Sequence, residues 1–156
     1  PGEFVADRNS IIRVWMDHGL WPLITLNEYI QMTGDIKVLL ERQTYFKDAV
    51  NCRGEGRDTL WSVQEKVLKS ADGQVYYGTL LEHLLVQHLT IFYDVGEHNH
   101  MRLRGADWKD ALDMEQEYGE SVAFSAAYSG NLFSLAGLIN TLAQKAQLEA
   151  VVYKQL

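Results

Sequence analysis

Between Trp21 and Thr33 the apolar side chains Leu23, Leu26, Tyr29 and Ile30 return at helical spacing. Pro22 suits the first turn of such a helix, Asp17 is placed to cap it, and Gly34 suits its C-terminal end. Asp35 predicts the cap of a second, short helix in which Ile36, Leu39 and Leu40 share a face, completing a helical hairpin. Residues 51–58, NCRGEGRD, carry two glycines and four charges and read as an exposed loop. Leu60 to Leu68 predicts a further short helix, stopped by Ser70-Ala71-Asp72-Gly73. From Thr79 the run TLLEHLLVQHLTIFY is broken by Glu82, Gln87 and His88, which predicts a helix buried on most sides as far as Gly96. His98 to Arg104 alternates as a short extended stretch, and Glu120 opens a long helical run. Ala123, Ala126, Ala127, Gly130 and Gly137 make that run narrow enough for helices to stack closely against it, and a last turn or two follows from Gln147 to Tyr153.

About five helices and almost no strand predict an all-α fold. Several of these helices are apolar around most of their circumference, more than five helices can cover for one another, so the pattern fits a piece of a larger helical assembly. Two prolines, no repeat and no biased linker make residues 1–156 one continuous piece. The 47% hydrophobic content supports a core. The pattern contains no run of about 18 apolar residues to cross a bilayer, and PGEFVADRNS lacks the features of a secretory leader, so no membrane partner is expected. Cys52 is the single cysteine; it allows no internal disulfide or thiolate zinc site and suits the reducing cytoplasm. A net charge of −7 argues against nucleic acid, which demands clustered Lys and Arg. Neutral polar substrates such as sugars remain compatible, and 4 tryptophans and 8 tyrosines are platforms for them.

The stretch RLRGADWKDALDM, residues 102–114, gathers acid around one indole. In an extended segment Trp108 and Asp110 face one side while Asp107 and Lys109 face the other. A carboxyl beside an indole is partly desolvated, its pKa rises, and it can donate a proton near neutrality. The plainer reading has Asp107 and Asp110 capping the turn after Gly105, with Trp108 filling the core.

RLRGADWKDALDM resembles the G-A-D-W-N-D signature of the inverting sugar phosphorylases of glycoside hydrolase family 94. DHGLWPLITLNEYIQMTGD, GTLLEHL and GESVAFSAAYSGNL resemble other segments of that family in the same order, from about Asp17 to Asn131. The wording DHGLWP, VGEHN, GADW-x-DALDM and GESVAF is most similar to its 1,2-β-oligoglucan phosphorylase branch. The resemblance implies an (α/α)6 barrel, of which residues 1–156 would be part, within a longer polypeptide that could be a homo-oligomer. It implies a β-linked glucooligosaccharide as substrate and inorganic phosphate as co-substrate, with no cofactor and no metal. It also implies that Asp110 is the general acid and that Trp108 contacts the donor sugar. Lys109 departs from the usual asparagine; in an extended segment its side chain would point away from the sugar and the change would be tolerated, whereas in a helical segment that cation would favour the ionised form of Asp110 and hinder proton donation.

Further candidates are weaker in kind. Asp107 flanks the indole, Arg104 could contact an acceptor sugar or lie exposed, and Asp17 could line the pocket or cap a helix. Glu120 could orient a catalytic group or simply favour a helix dipole. His98 and His100, with His83 and His88 upstream, raise a metal site, which the lack of an obvious third ligand opposes. Two rival functions stand beside the phosphorylase: an inverting hydrolase using water, and a non-catalytic helical carbohydrate-binding or structural module.

Overall fold

A computed structural model describes residues 19–45, 50–52, 56–57, 67–103 and 117–155, giving backbone alone for 50–52, 56–57 and 148–155. Helix α1 spans Trp21–Thr33, with a proline in its first turn. Gly34 ends it at φ 71°, a left-handed conformation glycine adopts without steric cost, and its N–H bonds the Ile30 carbonyl. The N-cap is Leu20, which offers no side-chain acceptor, and the expected cap Asp17 lies outside the described residues.

The second element is a 3-10 helix, Ile36–Leu40, rather than an α-helix. Three residues per turn bring Ile36 and Leu39 onto one buried face and turn Leu40 out, half exposed. Asp35 stands at its N-cap position without a side-chain cap bond and accepts instead from the Tyr29 hydroxyl.

Strand β1, Arg42–Thr44, pairs antiparallel with β4, Tyr77–Thr79, which runs directly into α2, Leu80–Phe92. Thr79 Oγ1 accepts from the Glu82 amide at 3.1 Å and so caps α2. The stretch expected as an open loop holds β2, Val50–Cys52, and β3, Gly56–Arg57, paired antiparallel. Most of the helix expected at Leu60–Leu68 lies outside the described residues; at its end, Leu68 bonds through its amide to Tyr45, and an extended bridge joins Lys69 to Val75. Strands β5, Met101–Arg102, and β6, Glu120–Ser121, form a third ladder. Helix α3 follows as one piece, Val122–Gln155, capped by Ser121 Oγ on the Phe124 amide.

The expected all-α fold, a partial (α/α)6 barrel, is overturned. The described residues form three α-helices, one 3-10 helix and three two-stranded antiparallel ladders. The small residues meant for barrel stacking do not pack: a Cβ at Gly130 or Gly137 would meet open space, and Ala123, Ala126 and Ala127 are exposed. Nor is α2 buried on most sides, since Val86, Leu89 and Phe92 are exposed while Leu84, His88 and Ile91 are buried. It stops at Phe92, short of Gly96, because the chain turns there into the hairpin leading to β5.

Two apolar clusters hold the elements together. Leu23, Leu39, Leu84 and Leu135 join α1, the 3-10 helix, α2 and α3. Leu20, Ile91, Met101, Leu103 and Tyr128 join the ends of α1 and α2 to β5 and α3. Each fully buried leucine contributes roughly 1.5–3 kcal/mol of transfer free energy. Residues Val122–Gln147 of α3 are long and apolar enough by composition to cross a bilayer, contrary to the pattern reading. In this fold the helix lends Tyr128, Leu135 and Leu138 to the core.

Candidate functional site

The third ladder stands at both ends of the segment that carries the acidic motif. In it Met101 pairs with Ser121 and Arg102 with Glu120, and one bond further the Leu103 amide reaches the Gly119 carbonyl at 2.9 Å. The chain therefore leaves for residues 104–116 and returns from them at one place.

Residues 94–102 turn back on themselves to build this platform. The Arg102 amide bonds the Asp94 carbonyl, the Gly96 amide bonds the His100 carbonyl, and the Asn99 amide bonds the Gly96 carbonyl. Asn99 sits at φ 61°, in the left-handed region that asparagine tolerates better than most side chains. Gly96 is required for another reason: a Cβ there would overlap the Glu120 carboxylate.

Glu120 is the electrostatic centre of the turn. Its Oε1 accepts from the His98 amide and from His98 Nδ1, both at 3.2 Å, and its Oε2 accepts from the His100 amide at 2.9 Å. The side chain is 11% exposed. Burial alone would raise its pKa, but the amides of His98 and His100 and the imidazole of His98 together hold it below the usual carboxylate value. Opposite it, Arg102 donates through Nε to the Val95 carbonyl at 3.0 Å and through Nη1 to the Glu117 carbonyl at 3.1 Å. Ser125 completes the junction with α3, accepting from the Met101 amide and donating to the Ser121 carbonyl.

Behind the turn lies a pocket of about 390 Å³, walled by Phe92, Tyr93, Tyr128 and Leu132 with Asn99 and Ser129 among its polar groups. Among the described residues that line it there is no carboxylate, lysine or arginine, and these walls suit an uncharged occupant.

Of the residues singled out in the sequence, Glu120 is described here; Asp17, Arg104, Asp107, Trp108 and Asp110 lie outside the described residues. The four histidines are not brought together as ligands. His83 stacks on Tyr45 at 3.7 Å between ring centroids, and His88 is buried in the core. Among the described residues no group of three or more His, Cys, Asp or Glu side chains is placed to hold a metal ion. Arg102 and Gly96 were missed by sequence reasoning. The available signal was the turn chemistry of Gly96-Glu97-His98-Asn99 just before an extended stretch, which marks a hairpin.

No family model matches this chain, and no curated protein matches it either.

Proposed function

We propose that the chain carries the general-acid segment of an inverting glycoside phosphorylase acting on β-1,2-linked oligoglucans. Asp110 donates its proton to the glycosidic oxygen as the bond from the anomeric carbon to that oxygen breaks. Inorganic phosphate attacks the anomeric carbon from the opposite face, giving α-glucose 1-phosphate and a shortened glucan. Phosphate is already an anionic nucleophile, so no protein base is needed, in contrast to an inverting hydrolase with its second carboxylate. Trp108 is the residue for contact with the donor sugar, and Asp107 and Arg104 are further candidates for sugar binding.

The observation that carries this reading is the wording GADWKD at residues 105–110, in sequence with DHGLWP, GTLLEHL and GESVAF. The pairing of the strands that flank the motif supports it, because a catalytic segment anchored at both ends loses less entropy when its acid is aligned. Lys109 favours a second reading, a module that binds sugar without turning it over.

The test is incubation of the longer polypeptide that the resemblance implies, carrying these residues, with β-1,2-glucooligosaccharide and phosphate, with assays for both α-glucose 1-phosphate and free glucose. Asp110→Asn should lower the yield of the phosphate ester by about 10²–10⁴-fold while sugar binding persists. Free glucose in its place would establish the hydrolase. Binding with no product from that longer polypeptide would establish the module.

A further inference from the structure

Three parts of the chain close around the pocket behind the turn: the end of α2 with Phe92, the hairpin with Asn99 and Met101, and α3 with Tyr128, Ser129 and Leu132. At about 390 Å³ it has the size of a small-molecule site. Aromatic and aliphatic side chains make most of its wall, and its few polar groups differ in what they have left to offer. His88 has Nδ1 on the Leu84 carbonyl and Nε2 on the Asn131 amide, so both ring nitrogens are engaged. Ser125 is held between the Met101 amide and the Ser121 carbonyl. The Ser129 hydroxyl donates to the Ser125 carbonyl and keeps its acceptor lone pairs. The Asn99 side chain makes no hydrogen bond among the described residues.

That free amide stands on a fixed backbone. Glu120 accepts from the amides of His98 and His100, on either side of Asn99, and the Asn99 amide bonds the Gly96 carbonyl, which holds the residue at φ 61°. Glycine would serve such a turn at less steric cost. What asparagine adds is a group that both donates and accepts at the pocket wall.

We propose that this pocket binds a small uncharged molecule with an apolar ring and one hydroxyl or carbonyl group, the ring against Phe92, Tyr128 and Leu132 and the polar group on Asn99. A charged ligand would lose its hydration with no opposite charge among the described lining residues to replace it. A sugar, with hydroxyls around its whole edge, would leave most of them unpaired against these walls. The site stands apart from the phosphorylase reading and is tested without it.

The experiment uses the full chain labelled with ¹³C at its methionine methyl groups, assigned by single Met→Leu substitutions. Met101 lines the pocket and is 2% exposed; Met32, on α1 and 84% exposed, is the control. Benzyl alcohol should move the Met101 resonance to saturation, with a Kd in roughly the millimolar range expected of so small a ligand, and leave Met32 in place. Benzoate, benzylammonium and glucose at the same concentrations should leave Met101 in place. Asn99→Gly keeps the turn and removes the amide, so it should weaken benzyl alcohol by about 2–10-fold, while toluene, which lacks the hydroxyl, binds parent and variant alike. Ser129→Phe should fill the pocket and abolish binding of both; if that variant unfolds, Asn99→Gly decides. A Met101 resonance that ignores benzyl alcohol, or that follows the charged analogues equally well, overturns the proposal. Equal affinity of parent and Asn99→Gly for benzyl alcohol also overturns it, as does a response to glucose alone.

Discussion

Asn131 and His88 are bonded to each other inside the protein, the amide Nδ2 donating to the imidazole Nε2 at 3.1 Å. The other imidazole nitrogen, Nδ1, donates to the Leu84 carbonyl at 2.8 Å, which sets the tautomer, and Asn131 also donates to the Leu20 carbonyl at 3.2 Å. Three helices thus meet at one neutral polar junction between the two apolar clusters. The side chain of Tyr128 packs edge-on against the His88 ring, and both residues line the pocket.

Replacing Asn131 by Leu keeps the branched shape but leaves His88 Nε2 without its donor and the Leu20 carbonyl with only the Ile24 amide at 3.3 Å. The expected loss is about 1–3 kcal/mol for buried groups left unsatisfied. Urea unfolding followed by circular dichroism measures it, and the midpoint should fall without a change in slope.

Burial pushes the His88 pKa below its usual value, partly offset by the bond to Leu84. As pH falls below about 6.5 the unfolded chain therefore takes up this proton before the folded protein does. The stabilisation is complete above that pH and is lost as pH drops toward the folded-state value. Urea midpoints taken between about pH 7.5 and pH 5.5 should decline in the parent and decline less in His88→Gln.

Gly96→Ala forces a methyl group against the Glu120 carboxylate. Overpacking of this kind costs about 1–3 kcal/mol. In a Glu120→Ala background the obstacle is gone, so the same change should cost much less; four thermal melts close the cycle.

The outer face of α3 carries Phe133 at 84% exposed and Val122 at 66%, while α2 adds Phe92 at 56%. Apolar surface of this extent favours association. Light scattering of the purified chain should show species larger than a monomer, and Phe133→Ser should shift the distribution toward monomer without altering the helical circular dichroism signal.

Several elements could be read directly from the residues because their causes are local. The apolar period from Leu23 to Ile30, a proline inside the first turn and a glycine at the end define α1 within its own length. The apolar run from Thr79 placed the start of α2, where the structure shows the Thr79 hydroxyl capping the Glu82 amide. The short extended stretch at His98–Arg104 was visible in its alternation, and β5 forms inside it. The candidate site was legible in part: Glu120 stood out by its charge at a helix entry, and the acidic motif by its composition.

The ladders needed the folded chain. A strand of two or three residues has too little length to display a period, and its stability comes from backbone bonds made when distant segments meet. Glu120 reaches His98 across 22 residues of sequence, and nothing in either neighbourhood announces the other. The long helix α3 failed for the opposite reason. Its apolar residues surround the whole circumference, so the sequence determined that a helix forms, while contacts with Leu23, Leu84 and Ile91 decided which stripe, Tyr128, Leu135 and Leu138, would be buried. The sequence alone determined that α1 and α2 form, that α1 ends at Gly34 and that α2 begins after Thr79, because those bonds close within four residues. Tertiary structure decided the pairing of Arg102 with Glu120 and the exposed face of α3, because both depend on surfaces that exist only once separate parts of the chain have come together.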